Sequence, residues 1–128
     1  MSVRALCVDP ARVHEVWPHV EHWLRKALER GGVNGDFAEL ENGVLHGNDL
    51  LWIGLDGSRV ISAGVTSLCN GVCELLAYGG ARHDELLETI EQFARAEGCT
   101  KVRVRGRKGW LRVLKDYRQP YIVLERSL

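Results

Sequence analysis

Two turn dipeptides constrain this chain more than any other feature. Asp56-Gly57 joins the run LLWIGL to RVISAGVTSL, and Asn70-Gly71 joins that run to VCELLAY. Asp-Gly and Asn-Gly between β-type runs are the strongest short-range hairpin signals, because both residues tolerate the positive φ that a tight hairpin turn needs. The spacing therefore predicts a three-stranded antiparallel meander. After Gly79-Gly80 the apolar period changes. Leu86, Leu87, Ile90, Phe93 and Ala94 recur at helical spacing up to Gly98, and the strand-like KVRVR follows. This strand–helix–strand series has the length of a parallel crossover.

Upstream, residues 3–8 read as a short strand. Asp9-Pro10 reads as a helix cap with proline at the first helical position. Pro18 interrupts the pattern and predicts a short helical turn followed by a longer helix. The longer one places Val20, Trp23, Leu24, Ala27 and Leu28 on one face, opposite Glu21, His22, Arg25, Lys26 and Glu29, and Gly31-Gly32 ends it. Asp36 with Glu39 resembles a capping box for a second helix to about His46. Downstream, GWLRVLKDY fits a short helix, and YIVLE reads as a last strand with Pro120 at its start. The expected order is β–α–α–β–β–β–α–β–α–β. It gives an α/β fold (mixed α+β in its sheet), in which an antiparallel meander continues into a parallel crossover with helices on both faces.

A chain of 128 residues fits one domain, 1–128, and its 45% apolar share supplies a core without staples. No apolar run approaches the roughly 20 residues of a membrane span, and the opening residues carry no export signal, so a cytoplasmic location without a membrane partner is expected. Four cysteines, Cys7, Cys69, Cys73 and Cys99, read as small apolar residues rather than a disulfide frame. A two-residue turn at Asn70-Gly71 would set Cys69 opposite Val72, whereas a three-residue turn would set Cys69 opposite Cys73. The five histidines show no ligand spacing, so no metal is expected.

Net charge is zero but unevenly spread. Residues 101–128 hold nine Lys/Arg against Asp116 and Glu125, a net +7, and the first hundred residues carry −7. Lys101, Arg103 and Arg105 alternate with Val102 and Val104, which puts three cations on one strand face. They suit a phosphate group or an acidic partner surface, or else pairing with Glu88, Glu91 or Glu97 of the preceding helix. No aromatic interleaving accompanies them, so a nucleic-acid partner is disfavoured.

The element order resembles that of the GNAT (general N-acetyltransferase) superfamily over essentially the whole chain. ELLETIEQFARAEGCTKVRV resembles its cofactor-side helix and the strand after it, and GWLRVLKDYRQPYIVLE its closing helix and strand. Tyr78 to Ala81, Ala94 to Cys99 and Gly106 to Tyr117 are also similar to short GNAT-like proteins of phages and prophages, which raises a second reading: a scaffold without catalysis that binds or assembles.

The resemblance implies binding of acetyl-CoA or another acyl-CoA and transfer to a small-molecule or protein amine. A homo-oligomer is compatible with it. The pantetheine arm would bond the backbone of Leu75, Leu76 and Ala77. The pyrophosphate would meet backbone N–H groups at the turn formed by Gly79, Gly80, Ala81, Arg82, His83 and Asp84, where a helix start favours an anion. The superfamily's loop pattern is matched only loosely: its customary positions carry Tyr78, Ala81 and His83, and Asp84 reads as an N-cap that competes for those donors. Glu74 would be the base, and Tyr117 the acid in place of the usual tyrosine, whose position carries Arg112. Each has a plainer reading, Glu74 on a solvent face and Tyr117 as a packed ring. Trp110 reads as a core residue or as the wall of a ligand cleft.

Overall fold

The computed structural model describes residues 3–31, 37–106, 109–122 and 124–128. Strand β1 (Val3–Cys7) leads through the 3-10 turn Pro10–Arg12 into helix α1 (Val13–Gly31). Helix α2 (Phe37–Leu45), strands β2 (Leu50–Asp56), β3 (Arg59–Cys69) and β4 (Val72–Gly80), helix α3 (His83–Ala96), strand β5 (Lys101–Val104) and the short helix α4 (Trp110–Val113) follow.

The sheet runs β1-β2-β3-β4-β5. The first four strands are antiparallel, and β5 lies parallel to β4. The mixed sheet expected from the hairpin signals is therefore present. At the second turn Cys69 pairs with Val72, so the loop has two residues, with Asn70 at φ 50° and Gly71 at φ 76°. That settles the register left open by the sequence: Cys73 is buried, Cys69 is exposed, and all four cysteines are free thiols. Burial pushes the Cys73 thiol up to about 11, so it stays protonated at neutral pH.

Each sheet face carries its own core. On one side Val13, Trp17, Val20 and Leu24 of α1 and Leu40 and Val44 of α2 pack on Leu51, Ile53, Ala63, Val65 and Ala77. On the other, Leu86, Leu87, Ile90 and Ala94 of α3 pack with Leu114 on Trp52, Cys73 and Leu75. The Trp52 indole N–H donates to the buried Thr66 hydroxyl at 2.9 Å, which satisfies both polar groups inside the core.

Four expectations are corrected. Pro18 does not divide the helix, for α1 runs through it. Its missing N–H and ring crowding fall on the exposed side, while buried Trp17 and Val20 on either side hold the helix to the sheet. Asp84 is not the N-cap of α3. Arg82 takes that place in a left-handed conformation, φ 58°, and no side chain caps the helix. Helix α4 stops after four residues; Leu114 follows as a buried anchor and Lys115-Asp116 turn the chain. The described residues of the expected last strand, Tyr121, Ile122, Leu124 and Glu125, are in no strand. They are exposed, and without a burying face the β propensity of the run has nothing to pack against. Asp36, proposed to open α2, lies outside the described residues.

Candidate functional site

The sheet opens between β4 and β5. Their pairing ends at Leu75 opposite Val104, and Arg105 N–H donates to the Leu75 carbonyl at 3.2 Å. Beyond this point β4 continues through Leu76, Ala77, Tyr78, Gly79 and Gly80. These residues keep β3 on one side, and among the described residues no strand pairs with them on the other. Leu76 is also the extra residue of a β-bulge: Thr66 pairs with Leu75 while Val65 pairs with Ala77. Bulges re-aim a strand and terminate pairing, and this one lies beside the opening.

A cleft of about 720 Å³ occupies the opening. Its floor is the open part of β4. One wall is α1, with Trp23, Lys26, Ala27 and Leu28. The other runs from His83 through Arg105, Gly106 and Gly109 to Trp110, Arg112 and Val113. Gly79 lets α1 lie close on the floor, since a Cβ there would stand 2.6 Å from Trp23 Cβ and 2.7 Å from its carbonyl oxygen. Lys26, His83, Arg105 and Arg112 are the ionisable groups among the described lining residues apart from Tyr78, and no carboxylate joins them. A groove with cations and an unpaired strand edge suits an elongated, anionic ligand with amide groups.

Of the residues singled out from the sequence, Leu76, Ala77, Gly79, Gly80 and His83 line this cleft. Leu75 lines a small apolar void beside it. Ala81, Arg82 and Asp84 stand at the rim without lining it. Ala81 N–H donates to the Ile61 carbonyl at 2.9 Å, Arg82 is bonded to Glu85, and Asp84 is exposed. The first turn of α3 carries no side-chain cap, so it leaves backbone donors near His83.

Glu74 sits just below the cleft. Its Oε2 is buried and stands 2.5 Å from Arg105 Nε as an ion pair, without an aligned hydrogen bond. Val102 and Val104 pack toward α3, so the alternating Lys101, Arg103 and Arg105 project to the opposite face. Arg105 therefore meets Glu74 of β4 rather than a glutamate of α3. Arg103 lies 5.9 Å from the Tyr121 ring. The Tyr117 hydroxyl donates to Glu91 of α3 at 2.5 Å, and Tyr117 does not line the cleft. Burial, followed by the Glu91 bond, holds that phenol well above the ordinary tyrosine range.

The hydroxyl in the cleft belongs to Tyr78, which donates to the Ala81 carbonyl at 2.6 Å. Burial pushes its phenol up to about 12, and Asp84 and Glu85 push the same way. Trp23, Lys26 and Arg112 were not picked out as site residues by the sequence. Helical spacing assigned Lys26 to the polar face of α1, and only the packing of that helix on β4 brings it to the cleft.

Solved structures share this architecture. An aminoglycoside acetyltransferase from an uncultured soil metagenomic sample, solved with sisomicin, matches 98% of this chain and 96% of its own at a TM-score of 0.69, with 10% identity. The fold is GNAT-like. A GNAT family acetyltransferase of Staphylococcus aureus subsp. aureus USA300_TCH1516 matches all of both chains at a TM-score of 0.64 and 11% identity. A predicted acetyltransferase of Clostridium acetobutylicum, solved with acetyl-CoA, covers 98% of this chain and 96% of its own at 0.64 and 10%. No protein-family model and no curated protein matches the sequence. Among the described residues no helix is long and apolar enough to cross a membrane.

Proposed function

We propose that this GNAT-like chain binds an acyl-CoA along the open edge of β4 and transfers the acyl group to a primary amine. The observation that carries this reading is the end of β4–β5 pairing at Leu75–Val104, which leaves Leu76 to Gly80 facing a cationic cleft. The residues present fit the group: free backbone amides of β4 suit the amides of a pantetheine arm. The uncapped start of α3 with His83, together with Lys26 and Arg112, suits its phosphates. Acetyl-CoA in the Clostridium structure and sisomicin in the soil aminoglycoside acetyltransferase, both of this fold, support the reading.

Acyl-CoA supplies an activated thioester carbonyl. The chain's own residues orient that carbonyl against the amine and remove the amine proton as the C–N bond forms and the C–S bond breaks. Glu74, just before the open stretch of β4 and with Arg105 as its counter-ion, is the base in this reading. Tyr117, tied to Glu91, supports the turn after α4 in this reading, and Tyr78 is the hydroxyl on the cleft side.

A second reading, a GNAT-fold binding or assembly module without turnover, such as a phage scaffold, is favoured by two observations. The carboxylate and the phenol expected to move protons are both engaged inside the protein, with Arg105 and with Glu91.

Calorimetric titration with acetyl-CoA and free CoA tests both. Micromolar binding followed by thiol release with an amine panel upholds the transferase. Binding without thiol release for any amine supports the module. No heat at millimolar cofactor overturns the acyl-CoA reading.

A further inference from the structure

The four tryptophans divide into two kinds. Trp17 and Trp52 are buried in the two cores, and each indole N–H has a partner, the Glu41 carboxylate at 2.7 Å and the Thr66 hydroxyl at 2.9 Å. Trp23 and Trp110 are half-buried and line the open cleft, Trp23 on α1 and Trp110 in α4. Of these two, Trp110 stands against the start of α3, where its ring centroid lies 5.5 Å from that of His83 at an angle of 82°. A second edge-to-face contact, at 6.0 Å and 72°, ties it to Tyr78, whose hydroxyl is fixed on the Ala81 carbonyl. The indole also sits on Gly106, where a Cβ would stand 2.6 Å from Nε1 and 2.7 Å from Cδ1. Edge-to-face contacts orient a ring, so Trp110 is held from one side while it still lines the cleft. Arg112, two residues on in the same short helix, lines the cleft as well. An oriented aromatic ring with a guanidinium near it suits a nucleotide, whose base stacks and whose phosphate pairs.

We propose that Trp110 is a specificity-determining residue of the donor site, a platform on which the base of the donor's nucleotide stacks. The cleft then takes a thioester that carries a nucleotide and discriminates against a thioester of phosphopantetheine alone, as a carrier protein would present it. This rests on the acyl-CoA reading above, which lays the pantetheine arm along β4 and the phosphates at the start of α3. The covalent order of CoA does the rest. Its pyrophosphate joins pantetheine to adenosine, so the base lies one ribose beyond the phosphates, on the side away from the thioester. Trp110 packs on His83, the first residue of α3, and is the ring such a base meets on that wall. The ribose also carries a 3′-phosphate, for which Arg112 offers a cation. Phosphopantetheine ends at its phosphate and gains nothing from the indole. Stacking one base on an aromatic ring contributes about 5- to 150-fold in affinity. Every base has such a face, so the ring selects for a nucleotide and not for adenine in particular.

The test is calorimetric titration of the wild type, Trp110→Ala and Trp110→Phe with free CoA and with 4′-phosphopantetheine. The wild type is expected to bind CoA at least about tenfold more tightly than phosphopantetheine. Trp110→Ala is expected to weaken CoA about tenfold and to leave phosphopantetheine within about threefold. Trp110→Phe, which keeps a ring, is expected to stay within about threefold of the wild type for both. An indole that only supports the cleft would weaken both ligands alike on removal, so equal losses in a folded Trp110→Ala, or none, overturn the proposal. Should Trp110→Ala not fold, Trp110→Leu decides in the same way, since leucine fills much of the space and has no ring face. A wild type that binds CoA no more tightly than phosphopantetheine also overturns the proposal, while the acyl-CoA reading stands. If the wild type binds neither, that reading fails, and adenosine 3′,5′-bisphosphate decides the platform by itself. Binding that weakens in Trp110→Ala would uphold it, and binding that is unchanged or absent would remove it.

Discussion

The Glu74 carboxylate lies 2.5 Å from Nε of Arg105, so the acid of β4 and the cation just beyond β5 hold each other at the point where the two strands part. Arg105 is about half exposed there and Glu74 much less so, at side-chain exposures of 46% and 17%. In the proposed transferase, a base at Glu74 serves turnover and not cofactor affinity. Glu74→Gln is expected to lower the rate of thiol release by about 10²–10⁴-fold while acetyl-CoA affinity stays within about threefold. Unchanged turnover would remove Glu74 from the mechanism.

The two bonded phenols make alkaline stability a readout of this region. The unfolded chain releases tyrosine protons near pH 10, whereas folded Tyr78 holds its proton to about 12 and Tyr117 is raised in the same direction. Above about pH 10 the unfolded state therefore binds fewer protons, and the stability present below that pH is lost as the pH rises through the folded values. Urea midpoints between about pH 9 and 12 are expected to fall less steeply in Tyr78→Phe/Tyr117→Phe than in the wild type. Parallel curves would show that neither phenol contributes.

The contact of α1 with the cleft floor predicts a cost at one glycine. Gly79→Ala drives a methyl group into the Trp23 backbone and Cβ, which cannot swing aside as a side-chain tip would. A loss of about 1–3 kcal/mol is expected by urea unfolding, with weakened acetyl-CoA binding as α1 is pushed off β4. Gly47 makes a control of the opposite kind: a Cβ there meets nothing within 4 Å, although its φ of +79° is unfavourable to other residues. Gly47→Ala is expected to leave acetyl-CoA affinity unchanged.

Under the sheet, the Trp52–Thr66 bond is the polar pair of the second core. Thr66→Val conserves shape but strands the indole N–H, and should cost about 1–3 kcal/mol in chemical unfolding. Thr66→Ser keeps the acceptor and is expected to cost less than Thr66→Val. Equal losses would mean that packing, not the hydrogen bond, sets the penalty.

Much of the architecture was legible in local pattern. Asn70-Gly71 and Asp56-Gly57 announced the hairpins because positive φ is a property of single residues. Leu86, Leu87, Ile90 and Ala94 announced α3 because a buried stripe must repeat with the helical period, and all four are buried. Val102 and Val104 fixed the alternation of β5 in the same way. Pro18 misled, since its effect depends on whether flanking residues are pinned by packing. Tyr121, Ile122, Leu124 and Glu125 misled because β propensity forms a strand only where a neighbour and a face exist.

The candidate site was half legible. The chain by itself determined most of the elements, their order, and the stretch of β4 and the start of α3 that line the cleft, because each is set by residues adjacent in sequence. Only the tertiary structure decided where β5 stops pairing with β4, and therefore where the cleft opens. It also decided that Lys26 of α1, Arg105 after β5 and Arg112 of α4 share that cleft, that Tyr117 turns to Glu91, and that Trp110 closes a wall with Tyr78 and His83. These are meetings of residues far apart along the chain. No local period encodes them, since they follow from how two cores on opposite faces of one sheet draw their helices together.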